Sequence, residues 1–371
     1  MNARAAAWAM ALATVAHAGP VSAQYLPEPG AVSTGIEARY YRFGQDLGVK
    51  SLGQIAIPIA IVAPIGRFTF DAGAWIAATT LTGLNGFRET VSGITDTQIR
   101  AAYVLGSDAL VLTALVNLPT GATNLSAAEY AVLSATASSF LAFPVNAYGS
   151  GLSATLGVAG AIRAGAWSLG LAGSARVSDG FTPFQDSDGG YTYQSGLEAR
   201  ARLGADRLVG NGRLAFGLTL STFSDDEFVN GAGATGVYRP GRRVIGEASY
   251  TALIGPATVT GYVWDFYRTS GDSAGSSVAN HENLFAAGVA TRIPMSPTLN
   301  LEPGAELRFA NPAEGSAVLL ELSAAARIRL SPRYTLIPVA RLDFGRLVEP
   351  APGFGHSIQG GGLSVFLRWS L

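Results

Sequence analysis

From Ser33 to the C-terminus, apolar residues recur at every second position in segments separated by turn residues. Period two sends alternate side chains to opposite faces of a strand. Repeated over segments of about ten residues, it predicts a transmembrane β-barrel with one face toward lipid and the other toward a lumen. The last segment is the clearest case. Leu363, Val365, Leu367, Trp369 and Leu371 share one face, and Ser364, Phe366, Arg368 and Ser370 share the other.

The second face is repeatedly charged. Ile36, Ala38 and Tyr40 alternate with Glu37 and Arg39, and Ile99, Ala101 and Tyr103 alternate with Gln98 and Arg100. Leu197, Ala199, Ala201 and Leu203 alternate with Glu198, Arg200 and Arg202; Ala305, Leu307 and Phe309 alternate with Glu306 and Arg308. Leu322, Ala324, Ala326 and Ile328 alternate with Glu321, Ser323, Arg327 and Arg329. An arginine facing lipid at the bilayer midplane costs about 2–4 kcal/mol, so the charges are assigned to the lumen. The expected lining is Glu37, Arg39, Arg100, Glu198, Arg200, Arg202, Glu247, Asp265, Glu306, Arg308, Glu321, Arg327, Arg329, Arg341, Asp343 and Arg368. It is polar and of mixed sign. Trp75, Trp167, Tyr262, Trp264, Phe266 and Trp369 are expected as belts at the membrane interfaces.

Connections alternate short and long, as periplasmic turns and external loops do. Short ones are expected at Pro64 to Gly66, Gly106 to Asp108, Arg163 to Gly165, Gly255 to Pro256, Pro294 to Pro297 and Ser331 to Pro332. Long ones are expected at Thr82 to Ile94, Pro119 to Tyr148, Asp179 to Tyr193, Asp225 to Pro240, Ser270 to Asn280 and Val348 to Gly361. The fold class is all-β: an antiparallel transmembrane barrel of about 14 to 16 strands, the count turning on Gly204 to Gly212 and Asn311 to Gly315. One segment breaks the period. Ser126 and Glu129 have the spacing of a capping box, in which each side chain satisfies a free backbone N–H at a helix start. A short helix to about Ser139 is expected inside the external loop after the fifth strand.

Composition fits a barrel better than a bundle of helices. Mean hydropathy is +0.27 and only 14% of the 371 residues are charged, yet no apolar run after the N-terminus reaches the 18 or so residues a membrane helix needs. Ile55 to Ile65 is interrupted by Pro58 and Pro64, and Ala109 to Val116 is bounded by Asp108 and Asn117. Residues 1–23 read as a secretory signal peptide, with Arg4 ahead of the apolar stretch Ala5 to Ala16 and small residues at Val21, Ser22 and Ala23. The mature barrel is then 24–371. Cleavage removes Arg4 from 25 basic residues, leaving 24 against 26 acidic ones, a balance that argues against nucleic acid as a partner. Without cysteine there is neither a disulfide framework nor a thiol nucleophile.

Motifs that carry chemistry elsewhere lack their context here. Gly231, Gly233 and Gly236 have dinucleotide-fingerprint spacing but neither follow a buried strand nor open a helix. Asp186, Asp188 and Gly189 resemble the start of a calcium loop without its later ligands. The mature chain has two histidines, His281 and His356, both in expected external loops and neither beside a serine on a strand. No catalytic residue, metal ligand or cofactor is assigned.

The segment Val116-Asn117-Leu118-Pro119-Thr120-Gly121, the helix after it, and Ala166-Trp167-Ser168-Leu169-Gly170-Leu171 resemble the outer-membrane transporters of hydrophobic compounds. That superfamily takes long-chain fatty acids and aromatic hydrocarbons and includes proteins linked to meta-pathway phenol degradation. The resemblance implies passive transport of small hydrophobic solutes. It also implies an apolar capture site on the helical excursion, for which Leu125, Tyr130, Val132, Leu133, Phe140, Leu141 and Phe143 are the candidates. Fatty-acid members carry a long N-terminal hatch, whereas here only Gln24 to Val32 precede the first strand, so occlusion is expected from the helix-bearing loop instead. The implied partners are outer-membrane lipid and lipopolysaccharide, a small-molecule solute, and the barrel-assembly machinery, which would read the alternating C-terminal strand. Leu371 stands where that C-terminal signal more often has an aromatic. A general diffusion porin with a mixed-charge lumen and a purely structural barrel are the alternatives.

Overall fold

The computed structural model describes residues 30–44, 48–106, 109–137, 139–186, 189–273, 276–279, 281–312, 315–348 and 355–371. The expected signal peptide and the start of the mature chain lie outside them.

Sixteen antiparallel strands close into one barrel. They are β1 (Ala31–Phe43), β2 (Val49–Ile65), β3 (Phe68–Gly83), β4 (Arg88–Ile94 continued by Thr97–Leu105), β5 (Leu110–Leu118), β6 (Ser153–Ala164), β7 (Trp167–Ser178) and β8 (Glu198–Val209). After these come β9 (Gly212–Phe223), β10 (Arg243–Ile254), β11 (Ala257–Arg268), β12 (Glu282–Ser296), β13 (Leu299–Pro312), β14 (Ser316–Arg329), β15 (Tyr334–Val348) and β16 (Gly355–Ser370). Each strand pairs with its neighbour in sequence, and β1 pairs with β16 from Ala31↔Ser370 to Phe43↔Ile358, so no edge is left open. The one helix among the described residues, α1 (Ala127–Thr136), lies in the excursion after β5.

Both ambiguous stretches resolve toward the higher count. Through Gly204, β8 continues to a tight hairpin at Gly210 and Asn211, where Gly210 takes φ +58°. Pro312 ends β13 and Ser316 begins β14. Thr82 to Ile94, expected as a loop, is largely strand. Glu89, Val91 and Gly93 continue the alternation and pair with Leu81, Thr79 and Ala77, leaving only residues 84–87 as a turn.

The outward face carries the exposed apolar side chains, Leu363 at 69%, Leu156 at 68% and Leu203 at 51% among them. In water such a surface would drive aggregation. Against acyl chains it is the matched surface, and the closed ladder satisfies every strand's backbone without water. Close to the short turns, Phe68 with Tyr103, Trp167 with Phe216, and Tyr334 with Trp369 form outward aromatic contacts of the kind that flank a hydrocarbon band. Four of the aromatics expected in the belts face the other way. Trp75, Trp264 and Phe266 pack on the apolar cluster inside the barrel, and Tyr262 donates its hydroxyl to Glu306 on the inner wall.

Candidate functional site: the excursion seated in the lumen

Residues 119–152 leave the barrel after β5 and return as β6. The capping box forms: Ser126 Oγ accepts from the Glu129 N–H at 3.2 Å, and the Ser126 N–H donates to Glu129 Oε2 at 2.8 Å. A ten-residue helix is marginal alone. Here Val132 and Thr136 are buried beneath it, which supplies the missing stability.

Both ends of the excursion are tied to one carboxylate. Asp96 accepts from the Gly121 N–H at 2.9 Å, the Ser150 N–H at 2.7 Å, Ser150 Oγ at 3.0 Å and Asn117 Nδ2 at 2.8 Å. It sits where β4 is interrupted. The inward residues are Glu89, Val91 and Gly93 before the break and Gln98 and Arg100 after it, so parity shifts across Thr95 and Asp96. The Thr95 hydroxyl fills the gap in the ladder by accepting from the Trp75 N–H. Gly121 is required by close approach, because a Cβ there would lie 2.0 Å from the Tyr148 carbonyl oxygen.

The body of the excursion is seated against the inner wall. Gln54 grips it through both ends of its amide, Nε2 donating to the Val145 carbonyl at 2.7 Å and Oε1 accepting from the Val145 N–H at 2.8 Å. Tyr148 Oη meets Thr79 Oγ1 at 3.1 Å and lies 3.1 Å from the Val91 carbonyl. Arg39 Nη1 donates to the carbonyls of Leu141 at 2.9 Å and Ala142 at 2.7 Å, the latter residue at φ +50°. Arg308 Nη1 donates to the Phe140 carbonyl, and the Tyr41 hydroxyl to that of Leu141.

These arginines belong to a buried charge network on β1 and β13–β15. Glu321 Oε2 accepts from Arg39 at 3.1 Å and Arg308 at 2.9 Å; Arg308 also reaches Glu306 at 2.5 Å, and Arg341 reaches Glu37 at 2.8 Å. Asp343 completes the cluster beside Glu321, its two buried oxygens without hydrogen-bond partners among the described residues. Buried charges are costly unless paired and hydrogen-bonded. Here Arg39 and Arg308 also donate to loop carbonyls, so the excursion supplies part of the network's hydrogen bonding, while Arg39 Nε and Arg341 Nε and Nη2 have no hydrogen-bond partner among the described residues.

The candidate capture residues are placed by this seating. Leu125, Val132, Phe140, Leu141 and Phe143 are buried in one apolar cluster with Tyr41, Leu52, Val91, Leu284, Leu319 and Ile358 of the wall, and Leu133 packs against it. They form the core of a plug and do not line an open groove. Tyr130 alone is exposed, at 43%. Its ring lies 4.7 Å from Phe184, which stacks on Tyr191 at 4.8 Å, in the external loop that pairs with residues 125–126. Elsewhere among these loops Tyr193 donates to Asp226, and burial together with that bond holds its phenol above the ordinary pKa.

Strand register places fifteen of the sixteen candidate lining residues on the face shared with Glu37. Arg100 bonds Asp71, Arg202 bonds Glu247, Arg200 bonds Glu198, and Arg327 bonds Glu302. The exception is Asp265. It pairs with Gly246 and Phe285 on the outward face, where it accepts from Asn283 Nδ2 near the external rim. The inward positions beside it are taken by Trp264 and Phe266.

The plug occupies one side of the lumen. Apart from the excursion itself and Phe184, its cluster takes no member from β5–β10 among the described residues. Many of the inward positions there are small or charged, such as Gly157, Ala172, Ser174, Arg202 and Glu247, although Leu115, Phe223 and Ile245 also face inward. Of the other candidates, Gly233 belongs to a tight turn at a loop tip, closed by its N–H to the Asn230 carbonyl. His356 is buried opposite Leu347 on the inner wall, and the His281 ring lies beside Tyr267. Residues 187–188 of the calcium-like segment lie outside the described residues.

Neither a family model nor a curated protein sequence matches this chain. Solved structures of similar outline include a TodX monoaromatic hydrocarbon channel deletion mutant, at 12% identity and a TM-score of 0.48 over 95% of this chain and 93% of that one. A Pseudomonas aeruginosa FadL homologue matches at 9% identity and a TM-score of 0.46 over 94% and 92% of the two chains. OmpT, an outer membrane protein of Vibrio cholerae, matches in a loop-deletion form at 9% and 0.42 over 91% and 99%. At these identities no residue role and no cargo passes from those proteins to this chain.

Proposed function

We propose that the protein is a passive outer-membrane channel for small hydrophobic compounds. The observation that carries the reading is the seated excursion. The exposed ring of Tyr130 meets the half-buried Phe184, which stacks on Tyr191, so an aromatic group of the excursion and an external loop adjoins a plug whose core is apolar. Exposed aromatic surface in a lumen mouth is a place where a hydrophobic solute leaves water. The plug blocks free aqueous flow on that side, so passage depends first on partitioning onto this aromatic group. Tyr130→Ala combined with Phe184→Ala tests this in proteoliposomes. Uptake of a labelled aromatic hydrocarbon should fall several-fold while uptake of a small sugar stays unchanged; equal hydrocarbon uptake by variant and parent would remove the reading.

A second reading has its own observation. The inward faces of β6–β10 are largely small, polar or charged, with Phe223 and Ile245 as exceptions, and lie outside the plug's core, which suits diffusion of small polar solutes along that wall. Bilayer conductance in potassium chloride separates the two. A steady conductance that the double variant leaves untouched, with no hydrocarbon uptake by either protein, favours the diffusion porin.

A further inference from the structure

Beside the plug, four arginines gather at the external end of the inner wall. Arg176 stands on β7, Arg200 on β8, Arg243 on β10 and Arg268 on β11. The registers Glu198↔Arg176, Arg200↔Ser221, Ser221↔Arg243 and Arg243↔Arg268 put all four on the inward face shared with Glu198, in two adjacent rows of the sheet. These rows border the mouth, since the long external connections leave from Ser178, Phe223 and Arg268. Between Arg200 and Arg243 the row holds only Ser221, whose short side chain leaves the gap between the two guanidiniums open.

Arg243 is the least provided for. Arg200 Nη2 reaches Glu198 Oε1 at 2.7 Å, and Arg268 Nη2 reaches Glu282 Oε2 at 3.0 Å. Arg176 and Arg243 make no ion pair among the described residues. The acids of the loop above are engaged elsewhere, Asp225 with Arg239, and Asp226 with Tyr193 and the Gly196 N–H. Arg243 lies 4.6 Å from the centre of the Phe223 ring, a contact that uses the flat face of the guanidinium and leaves its edge N–H donors for another partner. Directly across from it on β11 stands Arg268, and like charges opposite one another on paired strands destabilise a sheet. Glu198 attracts Arg243 from beyond ion-pair distance, whereas Arg268, Arg200 and Arg176 all repel it. A bound anion relieves that repulsion, and a guanidinium fork matches the spacing of carboxylate and phosphate oxygens.

We propose that Arg243, with Arg200 and Arg268 on either side, binds small oxyanions, phosphate or carboxylate, that enter the external mouth of the lumen. Arg176 adds attraction at the outer edge of the site. The strands hold these side chains in place, so much of the cost of bringing like charges together is met in folding. The site does not rest on the hydrophobic-channel reading, since it needs only water at the mouth. It gives a small anion a first station on the way in and biases entry against cations.

The test uses the full refolded chain in a neutral sugar detergent at low ionic strength. Calorimetric titration with inorganic phosphate and, separately, acetate reads binding to the parent, to Arg243→Gln, to Arg243→Lys, and to Arg333→Gln, which alters an exposed arginine on a periplasmic turn. At least one anion should bind the parent, about tenfold or more weakly to Arg243→Gln because the charge-assisted contacts of the fork are lost. Binding should be intermediate for Arg243→Lys, which keeps the charge without the fork, and unchanged for Arg333→Gln. Heat modifiability on gels verifies that each variant is folded; should Arg243→Gln not fold, Arg243→Lys carries the comparison and must bind more weakly than the parent. A further arm adds phosphatidylglycerol to the detergent. A site facing the lumen keeps its affinity for free phosphate, whereas full displacement by the lipid would make it a headgroup site and overturn the assignment to solutes. Absence of binding by both free anions, equal binding by the parent and the Arg243 variants, or an equal loss in Arg333→Gln overturns the proposal outright.

Discussion

Arg39 donates from Nη1 to the carbonyl oxygen of Leu141 at 2.9 Å, across 102 residues of sequence, so a charge on the first strand holds the backbone of a loop inserted after the fifth. Its Nη2 is committed to Glu321. Replacing Arg39 with methionine keeps the length of the side chain but removes one of the two arginines on Glu321 Oε2 and a donor to the Leu141 and Ala142 carbonyls; with Arg308 still on Glu321 and Tyr41 still on Leu141, the cost should fall below the roughly 3–5 kcal/mol of a fully broken buried pair. The sixteen-strand ladder does not depend on that side chain. The expected outcome is a barrel still resistant to SDS when unboiled, with larger and noisier single-channel conductance than the parent. Unchanged conductance would mean that the plug is not held from this wall.

Asp96 and Gly121 fix the base of the same excursion. Gly121→Ala puts a methyl 2.0 Å from the Tyr148 carbonyl oxygen, where only a backbone shift can make room. Asp96→Ala removes the acceptor of four hydrogen bonds from Asn117, Gly121 and Ser150. Either variant should speed protease cleavage within residues 119–152 at least several-fold, with digestion of the strands unaffected. Hydrogen exchange should show protection lost at Ser150 and Gly121 before any loss on β13–β15.

The alternation that predicts the barrel is legible because lipid imposes it. Wherever a strand carries Glu198, Arg200 and Arg202 on one parity and Leu197 and Leu203 on the other, the cost of a charge in hydrocarbon assigns the faces. The argument weakens where both parities hold apolar residues. On β11 the tyrosine, tryptophan and phenylalanine at 262, 264 and 266 suit a lipid belt as readily as a packed interior. That sent Asp265 to the lumen, whereas the register puts the aromatics inside against the plug and Asp265 outside at the external rim. The excursion's length, its helix and its place after the fifth strand are written locally in Ser126, Glu129 and the apolar run beyond. Its destination is not. Seating depends on Gln54, Thr79, Asp96 and Arg39 meeting residues 121 to 150, contacts between distant segments that leave no periodic trace. The parity shift between Val91 and Gln98 is the one sequence signal that marks the place where the excursion is anchored.

Register can be tested without background labelling, because the chain has no cysteine. Single cysteines at Leu203 and Arg202, and at Asp265 and Val263, carry an environment-sensitive thiol probe. Nitroxide placed in the acyl chains should quench the probe at Leu203 and Val263, and a water-soluble quencher should act at Arg202. At Asp265, an outward position near the rim, quenching should come from nitroxide at the headgroup level. A one-residue slip in β11 would exchange the behaviour of every position on that strand.

The sharpest prediction concerns the plug as a whole. Replacing Asn124 to Leu141 with a short glycine-serine turn removes α1, Tyr130 of the aromatic group, and the Phe140 and Leu141 contacts that pack on Tyr41 and Leu319. It also removes the Leu141 carbonyl from Arg39 and the Phe140 carbonyl from Arg308 while leaving Glu306 and Glu321 to pair with them. The charge network therefore survives and water can enter, so the barrel should fold. Without the plug, a polar solute such as a small sugar should pass faster, by a factor set by the added cross-section. Without Tyr130, a hydrophobic solute loses its place to leave water and should pass more slowly relative to the sugar. The ratio of the two fluxes is the decisive quantity, since a loop that only obstructs the pore raises both together, whereas a loop that also captures makes them diverge. A ratio unchanged by the truncation would reduce the excursion to an obstruction and leave the diffusion of polar solutes as the better account of the channel.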